Sequence, residues 1–424
     1  MTTTAPVDLL LPPSAPLVAP PYRTQRRVEV QAEARRFATE EVLPVANALD
    51  PLGETAEFPP EFVDKIAKQG YFGITVPEEL GGMGLGTFEY CMISEELARA
   101  WLSVASIIVR AQGAMGVGVA DPDRRRDLIA RSARGEWIGA AALSEPGIGS
   151  DLAGVQTRAV VDGDEFVLTG DKRWCGNALA ADFIQVFCRL SDPEPGQSRS
   201  AGLISVLVEK ERGSFPEGLT GEPIDKIGYH GFRTWNLHFD GLRVPVANRV
   251  YPMVAGSRAG HVITDAKSTA GFKAVEAELN TARVQTAARA VGLARAAVED
   301  CTAYLQERHQ FGHPIGDFQA LRFMLADMAS QVEQARAFYQ QIAHRIDDGD
   351  PCVREAAMVK FQASEMAVRV TNSAMQLHGG NGYTTERPIE RYWRDARLTT
   401  IFEGTSQIMQ KIISDRLLPR SPLA

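Results

Sequence analysis

The chain has 424 residues, 45% of them hydrophobic and 23% charged, with a formal net charge of −8. This is ordinary globular usage over a length that builds roughly two or three domains. The acidic balance argues against a nucleic-acid partner, and the run Asp123-Arg124-Arg125-Arg126-Asp127 carries its own neutralising charges. No apolar run is long enough to span a bilayer. Cysteines 91, 175, 188, 301 and 352 are odd in number and lack metal-ligand spacing. They read as reduced thiols of a cytoplasmic protein with no metal site.

Residues 1–21 have no basic residue ahead of Leu9-Leu10-Leu11 and carry prolines at 12, 13, 16, 20 and 21. They read as a disordered tail rather than a signal peptide. Residues 22–137 form a helical domain in this reading: Val30, Ala34, Phe37 and Val42 recur at helical spacing, as do Phe62, Ile66 and Tyr71 after Pro59-Pro60. Pro77 and Gly81-Gly82-Met83-Gly84 then precede an apolar helix predicted over 90–111. Residues 138–250 change character. Short alternating runs at 157–161, 165–169 and 183–188, divided by Asp-Gly or Gly-Asp turns, mark an antiparallel β-domain. Residues 191–200 are a polar surface loop, and 251–275 an extended linker, longer than a domain connection requires. Helical periods return over 276–308, 315–346, 352–377 and 386–418, within a C-terminal bundle spanning 276–424. The expected class is therefore α+β multidomain: an N-terminal all-α domain, a central antiparallel β-domain and a C-terminal four-helix bundle.

Four blocks carry candidate chemistry. In LSEPGIGSD (143–151) a strand ends in a turn bearing two hydroxyls and two carboxylates, where Gly147 and Gly149 permit close backbone approach to an anion. GDKRWCGN (170–177) places Trp174 beside Gly176, and RHQFGHPIGDFQ (308–319) joins two helices through Arg308, Phe311 and Gln319. The fourth runs from Gln376 to Gln407. Gly379, Gly380 and Gly382 break a helix, and Glu386-Arg387-Pro388 restarts one through Arg391, Arg394, Asp395 and Arg397. Glu403 then sits between apolar Ile401-Phe402 and flexible Gly404. A carboxylate among apolar neighbours is badly solvated, so its proton affinity is expected to rise towards that of a useful general base.

Together these blocks resemble the acyl-CoA dehydrogenase family over 23–418. The resemblance implies FAD as cofactor. Leu143 and Ser144 would meet the isoalloxazine, and Ser150 would lie near the pyrophosphate and the bound thioester. Trp174 would pack against the flavin. Similar proteins carry Thr or Ser two residues after that Trp, bonding flavin N5. Here Gly176 stands there, so a backbone N–H or water must substitute, or flavin reactivity is altered. By the same resemblance Arg308 reaches the FAD diphosphate of a neighbouring subunit, with Phe311 and Gln319 around the adenosine and Gln376 and Gly380 from the same neighbour. Thr405 and Gln407 are further cofactor contacts. A homo-oligomer, dimer or tetramer, follows from such sharing.

Ser150, Arg283, Glu403 and Gly404 would contact the acyl-CoA. Two branches of the family place their base one residue before the arginine that Arg283 matches. That residue is Ala282 here, which leaves Glu403 as the candidate base. Arg110, in SIIVRAQG, reads as pointing to solvent, with pairing to a polar substrate tail as the alternative. The reaction implied is α,β-dehydrogenation of an acyl thioester to a 2-enoyl thioester. Glu403 would take the α-proton and flavin N5 the hydride, while the FAD ribityl hydroxyl and the Glu403 N–H hold the carbonyl. Electron-transfer flavoprotein is the expected acceptor. A carrier-protein-bound thioester is an alternative to free CoA. A flavin monooxygenase on the same fold is a weaker rival, since such enzymes typically lack the base.

Overall fold

The computed structural model describes residues 17–112, 117–251, 262 and 270–418, the side chains of 270–279 excepted. Its helices are α1 (Gln25–Phe37), α2 (Leu43–Leu49), α3 (Pro60–Lys68), α4 (Thr87–Ala100), α5 (Leu102–Ile107), α6 (Pro122–Ala133), α7 (Ala270–Glu307), α8 (Gln319–Asp347), α9 (Val353–His378), α10 (Ile389–Thr399) and α11 (Ser406–Leu417). Contacts gather the chain into two units. The first holds residues up to Pro51, Thr87–Ala105 and Thr281 onward; the second holds Leu52–Gly86 and Ser106–Asn280. The N-terminal helical stretch contributes to both.

The second unit is built on a sheet. Its strands are β1 (Gly139–Ala142), β2 (Arg158–Asp162), β3 (Glu165–Gly176), β4 (Phe183–Arg189), β5 (Leu203–Glu209), β6 (Leu219–Pro223), β7 (Thr234–Pro245) and β8 (Arg249–Val250). The order is β6-β7-β3-β2-β4-β5-β8, with β1 paired to β4. Alternation along β3 and β7 sends Phe166, Leu168, Trp235, Leu237 and Phe239 into one core with Ile184, Val186 and Val206. Strand pairing is antiparallel except at two places: β1 runs parallel to β4, and β2 meets β4 in parallel at Arg158 and Arg189. The sheet is mostly antiparallel, as read from the sequence. The hairpin of β2 and β3 intervenes between β1 and β4, long enough a connection to bring β4 alongside in the same direction. On the other face, α6 starts at Asp121, whose side chain accepts from the N–H groups of Asp123 and Arg124, and buries Leu128, Ile129 and Ala133 against Phe183 and Leu207.

The first unit is helical and organised by charge as well as apolar burial. Adjacent Glu95 and Glu96 on α4 are both buried. Arg295 on α7 donates to Glu95 at 2.9 Å and bonds Glu96 as well. From α8, Arg336 reaches Glu95 at 3.0 Å and Tyr339 donates its hydroxyl to the same carboxylate. From α1, Gln31 donates to Glu96 at 2.7 Å and Arg35 pairs with it at 3.5 Å. Four helices therefore meet at two carboxylates. Gly292 makes the approach of α7 to α4 possible: a Cβ there would stand 2.3 Å from the Glu95 carbonyl oxygen.

Four sequence expectations are revised here. Leu17 and Val18 are buried, and Gln340 bonds both the Leu17 carbonyl and the Ala19 N–H, so the disordered tail does not extend to residue 21. The helix predicted over 90–111 breaks after Ala100, with buried Trp101 between α4 and α5. The last helix of the bundle is two, because the turn at 400–405 separates α10 from α11. Most of the linker read at 251–275 lies outside the described residues, and α7 begins at Ala270 rather than 276.

Although burial pushes the Glu96 carboxyl up, the charge and hydrogen bonds of Arg295 win and hold it down at about 2. Removing one partner of a buried pair strands the other. Glu96→Gln should therefore lower stability at pH 7 by about 3–5 kcal/mol, measured by urea unfolding. Since an ordinary glutamate titrates at 4.5, the unfolded chain takes up this proton first on acidification. Wild-type stability from this group is complete above that value and is lost as pH falls towards about 2, so the gap to Glu96→Gln should narrow across this window.

Candidate active site

In the second unit the turn after β1 is pinned by a pair that sequence reading missed. Glu145 is buried and accepts from the Thr157 N–H at 2.9 Å, the Thr157 hydroxyl at 2.7 Å and the Gln156 N–H at 2.9 Å. Lys172, fully buried on β3, donates to Glu145 at 2.9 Å and to the Leu143 carbonyl at 2.9 Å. Burial works against the Glu145 anion, but the Thr157 bonds and the Lys172 charge hold its carboxyl below the usual range. The Ser144 carbonyl accepts from the Arg173 N–H at 2.8 Å, which ties the turn to β3 once more. Leu143 and Ser144 are half-buried, and Ser150 is exposed. Nothing lies within 4 Å of a Cβ built on Gly147 or Gly149, so this chain leaves the turn's backbone open to a ligand.

A register shift in the β3–β7 pairing between Lys172 and Cys175 puts Trp174 outside the ladder, in the left-handed region at φ 66°. The indole is 53% exposed, with the Arg173 guanidinium 4.7 Å from its ring. It is no core residue. An exposed flat ring beside a pinned, open, Gly-rich turn fits a planar aromatic cofactor. At Gly176 the reason for the missing side chain is steric: a Cβ would lie 2.2 Å from the Phe232 ring, itself buried. Arg110 does not extend freely to solvent as read from the sequence. It is half-buried, with its guanidinium 5.4 Å from the Phe232 ring centre and a buried Nε that has no hydrogen-bond partner among the described residues.

The first unit carries Glu403 in the turn between α10 and α11, at φ 53°, followed by Gly404 at φ 96°. Its surroundings correct the expectation of an apolar setting. Arg289 of α7 donates to one carboxylate oxygen at 2.7 Å, and the Thr286 hydroxyl lies 2.6 Å from the other. The sequence neighbours do not enclose it: Ile401 is 50% exposed, and the Phe402 ring lies 4.8 Å from the Arg289 guanidinium. Tertiary partners from α7, one helical turn apart, replaced the apolar contacts suggested by chain adjacency. From α9, fully buried Lys360 donates to the Gly404 carbonyl at 2.6 Å. Burial pulls its ammonium down to about 8 even though the Glu403 charge favours it. Arg283, buried on α7, adds a further positive charge that Lys360 feels. Thr405 caps α11 through its hydroxyl at 3.2 Å from the Ile408 N–H.

The remaining candidates lie on the surface of the first unit. Arg308, Gln319, Gln376, Gly380 and Gln407 are exposed, and Arg308 makes no ion pair among the described residues. Phe311 is 89% exposed at φ 56°, packed edge-on against Phe318. Gln407 lines a polar cavity of about 520 Å³ with Gln331, Glu365 and Arg369.

Comparison with known proteins bears on the same segments. The family models described as acyl-CoA dehydrogenase N-terminal, middle and C-terminal domains match residues 24–136, 140–242 and 269–418. A 3-(aryl)acrylate reductase of Clostridium sporogenes is 34% identical over 94% of this chain and 100% of its own length. The mitochondrial short-chain specific acyl-CoA dehydrogenase of Bos taurus is 35% identical over 91% of this chain and 88% of that protein. Among solved structures, butyryl-CoA dehydrogenase from Megasphaera elsdenii superposes with a TM-score of 0.82 at 30% identity, covering 93% of this chain and 99% of that one.

The Gly176–Phe232 contact makes a direct prediction. Gly176→Thr should lower thermal stability by about 1–3 kcal/mol through overpacking. The double variant Gly176→Thr/Phe232→Ala should lose markedly less than the two single changes added together, because the new side chain fills the space the ring vacates.

Proposed function

The chain belongs to the acyl-CoA dehydrogenase family, flavoprotein oxidoreductases acting on CH–CH bonds of acyl-CoA, and on that footing we propose that it desaturates an acyl thioester at Cα–Cβ with Glu403 as base. The observation that carries this reading is the Glu403 carboxylate itself, held on an unusual backbone turn with both oxygens positioned and the side chain still partly accessible. FAD is the proposed cofactor and, when bound, supplies the hydride acceptor. Trp174 would offer a face for its ring system, the turn of Leu143, Ser144 and Ser150 would offer backbone and hydroxyl groups, and Gly176 would offer it no side-chain hydroxyl. Arg308, Phe311, Gln319, Gln376, Gly380, Thr405 and Gln407 are proposed cofactor contacts, several given to a neighbouring copy in a dimer or tetramer. Arg308 suits a diphosphate because it is exposed and unpaired within its own described chain.

Glu403 takes the α-proton of the thioester, whose carbonyl is held at the Glu403–Gly404 backbone. Negative charge then develops on that carbonyl oxygen, and the cations Arg283 and Lys360 lie in the same unit as the base and favour it. Bound acyl chain excludes water from Glu403 and strengthens these interactions. Electron-transfer flavoprotein is the proposed oxidant and the cytoplasm the proposed compartment. The same residues serve free CoA or carrier-bound thioesters.

The purified protein should be yellow, and an acyl-CoA panel under anaerobic conditions should contain at least one member that bleaches it. Glu403→Gln should retain flavin and thioester binding while slowing bleaching by about 10²–10⁴-fold or more. Bleaching at close to the wild-type rate would place the base elsewhere. Arg308→Ala should release flavin more readily, measured by ultrafiltration of the coloured protein.

A further inference from the structure

We propose that Arg289, together with Thr286 on the same face of α7, is a positioning residue that keeps the Glu403 carboxylate ionised and oriented before substrate arrives. The inference rests on the reading of Glu403 as the base. Its own ground is the bonding pattern. Arg289 is 1% exposed at its side chain, and one of its terminal nitrogens donates both to Glu403 at 2.7 Å and to the Thr286 hydroxyl at 2.8 Å. Thr286 has one proton and two acceptors in reach, the Glu403 carboxylate at 2.6 Å and the Ala282 carbonyl at 2.8 Å.

That arrangement holds the base without trapping it. When the carboxylate turns towards a thioester, the Thr286 proton swings to the Ala282 carbonyl, so its hydroxyl keeps a bond. Arg289 keeps the Thr286 oxygen and the Phe402 ring as partners. Release therefore leaves the Thr286 hydroxyl bonded and the Arg289 guanidinium still held by it, which reduces the penalty that normally makes breaking such a pair expensive. At rest, a guanidinium at hydrogen-bond distance favours the anion, which is the form a general base needs.

Other charged and titratable groups surround the pair. Arg283 lies on α7 and acts on Lys360. Lys360 and Glu365 come from α9, with Lys360 bonded to the next carbonyl and Glu365 accepting from Ser406. From α4, the Cys91 thiol feels the Arg289 charge but is pushed far up by burial and stays neutral. Lys360 loses charge near 8, above the range in which a carboxylate titrates, so it does not set the acid limb.

The test is the pH dependence of kcat/KM for flavin bleaching by an acyl-CoA, which reports the free enzyme's base. In Arg289→Gln the acid limb should move to higher pH by about one unit or more. Activity at pH 8 should stay within a few-fold of wild type. Arg289→Lys, which keeps the charge, should restore most of the limb, and Thr286→Val should shift it in the same direction by less. A purely structural role would lower the rate at every pH without moving the limb, and that result in flavin-loaded Arg289→Gln overturns the proposal. If Arg289→Gln does not fold, an unmoved limb in Thr286→Val overturns it equally. Activity surviving in Glu403→Gln would sink the base assignment itself. An inactive Glu403→Gln alongside an unmoved Arg289→Gln limb sinks only the role of Arg289.

Discussion

The helical unit depends on two adjacent carboxylates. Glu95 and Glu96 face buried partners from α1, α7 and α8, and those partners have no water to fall back on. A buried ionic cluster contributes little net stability compared with an apolar core, but it tolerates only one register. Any rotation or slide of α7 along α4 would separate Arg295 from both glutamates and bring a crowded position against the Glu95 carbonyl where Gly292 now passes. Once Arg295 is fixed, so is the direction in which Arg283, Thr286 and Arg289 leave the same helix. The geometry around Glu403 is in this sense inherited from an interaction roughly two to three helical turns along α7.

The sheet unit reaches a similar result with a smaller device. One buried ion pair, Glu145 with Lys172, ties the end of β1 to the middle of β3 and consumes the hydrogen-bonding capacity of the turn's own carboxylate. What is left outward is backbone, hydroxyl and the Asp151 carboxylate, which pairs with Arg199. The bulge that follows Lys172 then turns Trp174 out of the ladder. Pinning and presentation are thus accomplished within four residues of one strand, which explains why the stretch from 170 to 177 looks so dense in sequence.

Much of this was legible because it is local. Period-two runs bounded by Gly and Asp gave β2, β3 and β4, and the Gly379–Gly380 stop followed by Pro388 marked the end of α9 and the start of α10. Glu403 stood out for its company in the chain. What could not be read was long-range: its partner Arg289 lies 114 positions earlier, and on the helical pattern alone it is one more polar residue in an alanine-rich helix. The apolar neighbours in the sequence pointed to the wrong environment because adjacency along a turn does not decide which side chains face each other. The break at Trp101 carries no Pro or Gly to announce it. Gly176 was visible as a departure, but its cause, the Phe232 ring, required the fold.

Glu403 sits where its backbone is uncomfortable. A side chain with a Cβ in the left-handed region costs roughly 1–2 kcal/mol relative to Gly, and Asn tolerates the region better as well. Selection for stability alone would therefore erode this glutamate, and selection for chemistry alone would keep it. A duplicated copy freed from turnover should drift at this position towards Gly or Asn and become sturdier as it falls silent. Persistence of an acidic residue at so strained a place is then a mark of continuing use, one that can be read in any descendant of this chain before an assay is run.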